Sequence, residues 1–135
     1  MQTFSHNNEA AGQARKSVLV IDDNETMLRM ICDLLGRSGF ATLSASDGVK
    51  GLKAYYADHP GLVITDLIMP NKEGLEVIME LNKQDPKPKI IAISGGGRLE
   101  PQTYLPLAEM LGADHILEKP FHPAELVALV KELLM

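Results

Sequence analysis

Three aspartates, a serine and a lysine follow short apolar runs in this 135-residue sequence. Asp22 and Asp23 come after the first run, Asp66 after the third, Ser94 after the fourth, and Lys119 after the fifth. Carboxylates held close together repel one another, so one must be protonated or a cation must neutralise them. Hard oxygen ligands with room for water favour Mg²⁺ over Zn²⁺ or Cu²⁺. If the three aspartates converge, they predict a magnesium site.

The same residues could also handle a phosphoryl group. A magnesium ion on the three aspartates leaves coordination positions for a phosphate oxygen, while Lys119 and the Ser94 hydroxyl could bind the other oxygens. The Asp66 carboxylate could then attack the phosphorus atom in line. Taken singly, each aspartate is more commonly a helix cap, and the serine a turn residue. The joint pattern, with all five at the ends of apolar runs, favours the site.

These side chains converge only if the apolar runs are strands of one parallel sheet. Short runs with many β-branched residues predict strands at 17–21, 41–45, 62–65, 90–93 and 115–118. Helical spacing and capping residues predict five helices, four between successive strands and one after the last strand. They run from Asp23 or Asn24 to near Gly39, from Asp47 to Tyr56, from about Glu73 to Asn82, to an end at Gly112, and from a start at Pro123. Strands separated by helices pair in parallel through right-handed crossovers, so helices cover both faces. Ligands of such sheets bind beyond the carboxyl ends of the strands, where the five residues would meet.

Composition limits the class of protein. Apolar residues make up 45% and charged residues 23% of the chain, as in globular proteins, and Cys32 is the single cysteine, so no intramolecular disulfide can form. The net charge of −5 gives no general attraction to nucleic acid or anionic membrane. Residues 1–16 are polar and lack the apolar stretch of a signal peptide. We expect a flexible leader at 1–16, one domain at 17–135, a cytoplasmic location, and no direct nucleic-acid or membrane partner.

Together these motifs resemble the receiver domains of two-component response regulators. The matching segments are Asp22-Asp23, Asp66 with Met69-Pro70 and Gly74, Ser94-Gly95, Gly112-Ala113-Asp114, and Lys119-Pro120-Phe121. The resemblance covers residues 17–135 and is closest to stand-alone, chemotaxis-regulator-like receivers. It implies a flavodoxin-like (βα)5 fold, α/β and doubly wound, whose parallel five-stranded sheet has the strand order 2-1-3-4-5.

The resemblance also implies a role for each site residue. Asp66 would be the phosphoacceptor, Ser94 the switch hydroxyl, and Lys119 the phosphate-binding lysine. Mg²⁺ would be held by Asp22, Asp23 and Asp66 together with the backbone carbonyl of Ile68. The Lys119–Pro120 peptide would be cis. The phosphoryl donor would be a histidine kinase or a histidine phosphotransfer protein, and a downstream protein would read the face formed by the fourth helix, fifth strand and fifth helix.

Three features depart from the family pattern. Ile116 stands where the family usually has an aromatic residue, and Ile68 stands two residues after the acceptor, where the family often has a polar one. Three consecutive glycines follow Ser94, and Pro106 falls within or at the start of the fourth predicted helix. The departures at Ile116 and in the glycine loop concern the signalling face. They leave the predicted phosphorylation site unchanged.

Three functions are compatible with these residues. The leading prediction is a phospho-accepting signalling module, not an enzyme beyond self-phosphorylation and slow self-dephosphorylation. A magnesium-dependent phosphohydrolase with an aspartyl-phosphate intermediate is the alternative, but such enzymes carry a second aspartate as general acid where this chain has Ile68. A receiver-like scaffold that is never phosphorylated is the third, weakened because the acidic and basic set is intact. We expect the output to be a protein contact, a relay to another histidine, or a further domain.

Overall fold

A computed structural model describes residues 16–67, 74–95 and 101–135, with the backbone alone at 101–105. Within this part of the chain, five strands alternate with five helices. The strands are β1 (Val18–Ile21), β2 (Thr42–Ala45), β3 (Leu62–Asp66), β4 (Lys89–Ser94) and β5 (His115–Glu118). The helices are α1 (Glu25–Arg37), α2 (Gly48–Asp58), α3 (Gly74–Leu81), α4 (Pro101–Met110) and α5 (Pro123–Leu134).

The strands form one parallel sheet in the order β2-β1-β3-β4-β5. The predicted fold class and strand order are therefore confirmed. The central strand β3 pairs with β1 through Leu62 opposite Val18 and with β4 through Asp66 opposite Ile93. This register brings the carboxyl ends of β1, β3 and β4 to one edge of the sheet.

Two buried layers hold the helices against the sheet because the strands are apolar on both faces. On one face Leu19, Val63 and Ile90 pack with residues of α2, α3 and α4. On the other face Val20, Ile64 and Ile91 pack with residues of α1 and α5. A core residue of this size contributes about 1.5–3 kcal/mol when fully buried, so the sheet is a rigid platform for the loops at its edge.

Helix boundaries follow the capping residues. Asn24, one of the two predicted caps, is the N-cap of α1, and its side chain accepts a hydrogen bond from the Met27 amide at 3.0 Å. Asp47 caps α2 in the same way through the Lys50 amide at 2.8 Å. Pro123 occupies the first turn of α5, as predicted, and Pro106 lies inside α4. None of the helices described by the structure is long and apolar enough to span a membrane.

Candidate functional site

The turn after β1 places two adjacent aspartates in different surroundings. The side chain of Asp22 is buried at the sheet edge, whereas Asp23 is exposed. Asp22 Oδ1 accepts a hydrogen bond from the Asn24 amide at 2.9 Å, which fixes the carboxylate as the chain enters α1. The sequence therefore supplies one anchored and one solvent-accessible carboxylate at the same corner.

The end of β3 holds Asp66 through its backbone. The Leu67 amide donates to the Ile93 carbonyl at 3.0 Å, so sheet pairing continues past the aspartate. The Thr65 hydroxyl, fully buried in the strand, donates to the Asp66 carbonyl at 3.0 Å. Gly74, at the start of α3, packs directly on that carbonyl, and a Cβ atom at position 74 would collide with it. Glycine is required there because the backbone of the helix approaches the backbone of the strand too closely for any side chain.

The Lys119 side chain contacts an aspartate at the end of β1 and another at the end of β3. Its Nζ atom lies 3.3 Å from Asp22 Oδ2 and 3.2 Å from Asp66 Oδ2, with the lysine side chain 18% exposed and Asp22 1% exposed. Burial disfavours the charged amine, but the negative charges of Asp66 and Asp22 outweigh burial and raise the pKa of Lys119. The amine is therefore a cation throughout the neutral range. The Lys119–Pro120 peptide is cis, as the resemblance implied.

The three aspartates can hold a divalent cation. Asp22, Asp23 and Asp66 each offer a carboxylate oxygen, and these oxygens all lie within 4.8 Å of one another. Among the described residues, three carboxylates against one ammonium group give the cluster a formal charge of −2, which a Mg²⁺ ion would neutralise. The donor set is composed of hard oxygens, as Mg²⁺ requires. Ile68, whose carbonyl was the fourth expected ligand, lies outside the described residues.

Ser94 ends β4 beside this cluster, and its hydroxyl is unsatisfied within the part of the chain that the structure describes. The residue is 2% exposed, and its Oγ atom has no hydrogen-bond partner among the described residues. Its carbonyl, in contrast, accepts a hydrogen bond from the Lys119 amide at 2.6 Å. Buried hydroxyls nearly always find a partner, so an unpaired one at a sheet edge is the feature expected of a group that awaits a ligand.

The structure brings together the acidic residues and the lysine predicted from the sequence, with Ser94 at the end of the adjacent strand. Asp66 and Ser94 were predicted to follow their strands directly. In the structure they are the last residues of β3 and β4, because sheet pairing continues one residue further than predicted. The role of Thr65 was missed. Its signal was available: it is the one polar residue between the aliphatic stretch Leu62–Ile64 and Asp66.

Replacing Asp23 is expected to weaken Mg²⁺ binding. Asp23→Asn removes one of the three negative charges while the buried contacts of Asp22 remain, so the dissociation constant should rise on the order of tenfold, about 1.4 kcal/mol. Isothermal titration with Mg²⁺ measures it. Glu25→Gln is the matched control, because it removes a neighbouring exposed charge outside the cluster. Equal affinities for Asp23→Asn and its parent would contradict the ligand role.

Comparison with known proteins adds independent information. The sequence matches the family model of the response regulator receiver domain over residues 18–131. It is 35% identical to a probable transcriptional regulator, ycf27, of Cyanophora paradoxa over 120 residues, which make up 89% of this chain and 48% of that protein. It is 34% identical to the alkaline phosphatase synthesis transcriptional regulatory protein PhoP of Bacillus subtilis over 119 residues, 88% of this chain and 48% of that one. The chain thus spans about half the length of these curated relatives.

Solved structures of receiver domains resemble this fold. A response regulator receiver domain protein from Clostridium thermocellum superposes with a TM-score of 0.80 at 31% identity, over 87% of this chain and 93% of that one. The receiver domain of NtrX from Brucella abortus gives a TM-score of 0.80 at 28% identity, over 87% and 98% of the two chains.

Proposed function

The chain belongs to the response regulator receiver domain family, and from this premise we propose that it accepts a phosphoryl group on Asp66 and thereby changes its protein-binding face. The observation that carries the assignment of Asp66 is the position of Lys119. Its ammonium group contacts Asp66 and Asp22 at once, so a phosphoryl group on Asp66 would meet a cation already in place. We propose that the domain extends over 17–135 after a polar leader at 1–16, and that it acts in the cytoplasm.

The chemistry follows from the charges around Asp66. A carboxylate oxygen of Asp66 attacks phosphorus and forms a P–O bond, while the P–N bond to the donor histidine breaks and its nitrogen retains the electron pair. Lys119 turns from the carboxylates to a phosphoryl oxygen, and Ser94 Oγ gains the hydrogen-bond partner that it lacks among the described residues. Magnesium, held by the aspartates, would supply charge neutralisation at the phosphoryl oxygens.

Intact-mass measurement tests this proposal. The protein is incubated with a small-molecule phosphodonor, with and without Mg²⁺, and one phosphoryl group per chain is expected only when Mg²⁺ is present. Fragmentation should place the added mass on Asp66. No added mass under either condition, or an added mass on another residue, would contradict the assignment.

A phosphohydrolase is the less favoured function. Both it and a receiver form an aspartyl phosphate, but rapid turnover needs a group that moves protons at the leaving oxygen. The position two residues after Asp66 carries Ile68, which has no transferable proton. Steady release of inorganic phosphate far beyond one equivalent per chain would favour the hydrolase, whereas one equivalent that decays slowly supports the receiver.

Membership of the family implies the class of phosphoryl donor, which is a histidine kinase or a histidine phosphotransfer protein. We propose that a downstream protein reads the face of α4, β5 and α5. The relatives ycf27 and PhoP are named as transcriptional regulators. The prediction of no direct nucleic-acid contact therefore concerns this domain alone and stays a prediction.

Ser94 is the proposed switch residue. Ile116, at the expected aromatic position, is half-buried beside Ala92 and belongs to the packed layer under α4, so no ring is available to swing inward. Movement of Ser94 would instead reorder residues 95–104, of which 96–100 lie outside the described residues.

Ser94→Ala should therefore allow phosphorylation but reduce the size of the conformational response. Amide hydrogen exchange with and without a phosphoryl mimic measures the response in residues 95–111, with Ser44→Ala on the exposed side of β2 as the matched control. If the change in amide protection is as large in Ser94→Ala as in the parent protein, a switch role is contradicted. The same holds if the changes in the parent protein are confined to the loops around Asp22 and Asp66.

The lifetime of the phosphoryl group is expected to depend on position 68. Hydrolysis requires a water molecule aligned with the P–O bond, and polar side chains near the site orient that water. Ile68 is apolar, so the phosphorylated state should be long-lived, and Ile68→Asn should shorten its half-life severalfold. Ile68→Val, which stays apolar, is the control. Equal decay rates for all three proteins would show that side-chain polarity at 68 does not orient the water.

A further inference from the structure

Thr65 brings a hydroxyl group into an apolar layer of the core. In the parallel sheet it lies level with Ile21 of β1 and Ala92 of β4, and its side chain is fully buried. It shares a face of β3 with Val63, because side chains two residues apart on a strand point the same way. Valine has the shape of threonine without a hydroxyl to remove from water, so packing of this layer does not by itself require the hydroxyl.

The hydroxyl is engaged at the proposed phosphoacceptor instead. Thr65 Oγ1 donates a hydrogen bond to the Asp66 carbonyl oxygen at 3.0 Å. At the other end of the same peptide group, the Leu67 amide donates to the Ile93 carbonyl oxygen at 3.0 Å. The peptide group that joins Asp66 to Leu67 is therefore held at both its oxygen and its nitrogen. Because a peptide group is planar, these two contacts together fix the ψ angle of Asp66.

The ψ angle of Asp66 bears on the direction of its carboxylate. The side-chain rotamers that a residue adopts depend on its own φ and ψ angles. In the structure, Asp66 Oδ2 lies 3.2 Å from Lys119 Nζ, and the carboxylate offers an oxygen within 4.8 Å of oxygens from Asp22 and Asp23. A tilt of the peptide group after Asp66 would therefore disturb contacts with the lysine and with both acids.

We propose that Thr65 is a positioning residue for Asp66: by binding the Asp66 carbonyl, its hydroxyl holds the peptide group that directs the carboxylate toward Lys119 and the neighbouring aspartates. This role rests on the proposed function of Asp66. Thr65 contacts neither the phosphoryl group nor the metal in this role and acts only through the acceptor. Because the role requires a hydroxyl, serine can fill it and valine cannot.

Thr65→Val and Thr65→Ser separate positioning from packing. Valine keeps the shape but lacks the hydroxyl, whereas serine keeps the hydroxyl but lacks a buried methyl group, so Thr65→Ser should lower stability. With a small-molecule phosphodonor and Mg²⁺, Thr65→Val should be phosphorylated on the order of tenfold more slowly than the parent, and Thr65→Ser within about twofold of it. Rates are compared for proteins that circular dichroism shows to be folded.

Amide hydrogen exchange without metal or phosphodonor gives a second measurement. Thr65→Val releases the oxygen side of the peptide group, so the Leu67 amide should exchange at least about threefold faster relative to the Val63 amide. Val63 lies in the same strand and reports general opening of the sheet. The ratio of the two rates should keep its parent value in Thr65→Ser, even where lower stability speeds both.

Titration with Mg²⁺ reports on the carboxylate itself. Thr65→Val should raise the Mg²⁺ dissociation constant about threefold in the parent, because the Asp66 carboxylate is less well directed, and should leave it unchanged in an Asp66→Asn background.

Slower phosphorylation and faster Leu67 exchange in Thr65→Val, both restored in Thr65→Ser, support the positioning role. It is overturned if Thr65→Val is phosphorylated at the parent rate, if the losses follow the stabilities of the two variants, or if the effect on Mg²⁺ persists in Asp66→Asn. Failure of Thr65→Val to fold would overturn it too, because each of these results assigns Thr65 to the fold alone. If the parent itself is not phosphorylated, the proposed function fails, while amide exchange and the Mg²⁺ titrations still decide the role of Thr65.

Discussion

Asp66→Asn is expected to abolish phosphorylation while leaving the fold intact. The amide keeps the size of the carboxylate but lacks the charged nucleophilic oxygen, so phosphoryl incorporation should fall by at least about 10²-fold, to background. Removing one of three clustered acids also relieves repulsion with Asp22 and Asp23. The free energy of unfolding should therefore stay within about 1 kcal/mol of the parent value or rise. Intact-mass analysis and urea denaturation give both quantities.

The control for this substitution is Asp33→Asn. Asp33 lies exposed on α1, so the same change of charge and size occurs outside the cluster. It should leave phosphorylation unaltered. Phosphoryl incorporation into Asp66→Asn at the parent rate would remove Asp66 as the acceptor.

Lys119→Met is expected to uncouple the two proposed functions of the cluster, metal binding and phosphoryl acceptance. Without the ammonium group the site carries three carboxylates and no cation from the described residues, so Mg²⁺ should bind on the order of tenfold more tightly. Phosphorylation should nevertheless slow strongly, because the cation proposed to bind the phosphoryl oxygens is gone. Opposite changes in two measurements distinguish this result from general damage to the fold.

The stability of Lys119→Met should also fall, because Asp22 is left buried without its partner. We expect a loss of about 2 kcal/mol in the free energy of unfolding without Mg²⁺, smaller than for a fully buried pair since the lysine and Asp66 are partly solvated. Saturating Mg²⁺ should restore more stability to the variant than to the parent.

The pH dependence of this difference has a definite sign. The pKa of Lys119 is raised in the folded protein, so its stabilising contribution is fully present below the unfolded value of about 10.4 and is lost as the pH rises through the folded pKa. The stability gap between parent and Lys119→Met should be constant from about pH 6 to 9 and shrink above about pH 10.4. Lys53→Met, on the exposed side of α2, is the control. A gap that is absent at neutral pH, or independent of pH up to the alkaline limit, would contradict the bridging role.

Much of this protein could be predicted from local patterns. Five apolar runs alternate with helical spacing, and buried parallel strands separated by helices permit few arrangements. Because all strands of a parallel sheet point the same way, residues that follow them meet at one edge whatever the details of packing. Asp66 and Lys119 could therefore be assigned to one site from the sequence although they are 53 positions apart.

The state of each side chain in the site depends on packing that no local pattern reports. Asp22 and Asp23 are identical in type and adjacent, yet one is buried in contact with Lys119 and the other is exposed, because successive residues leave the strand end in opposite directions. Asn24 rather than Asp23 caps α1 because Asp22 has already turned the chain through the Asn24 amide. The hydrogen bond from the Lys119 amide to the Ser94 carbonyl likewise arises from contacts between β4 and the end of β5. Such contacts join distant parts of the chain, so only the folded structure decides which atoms touch.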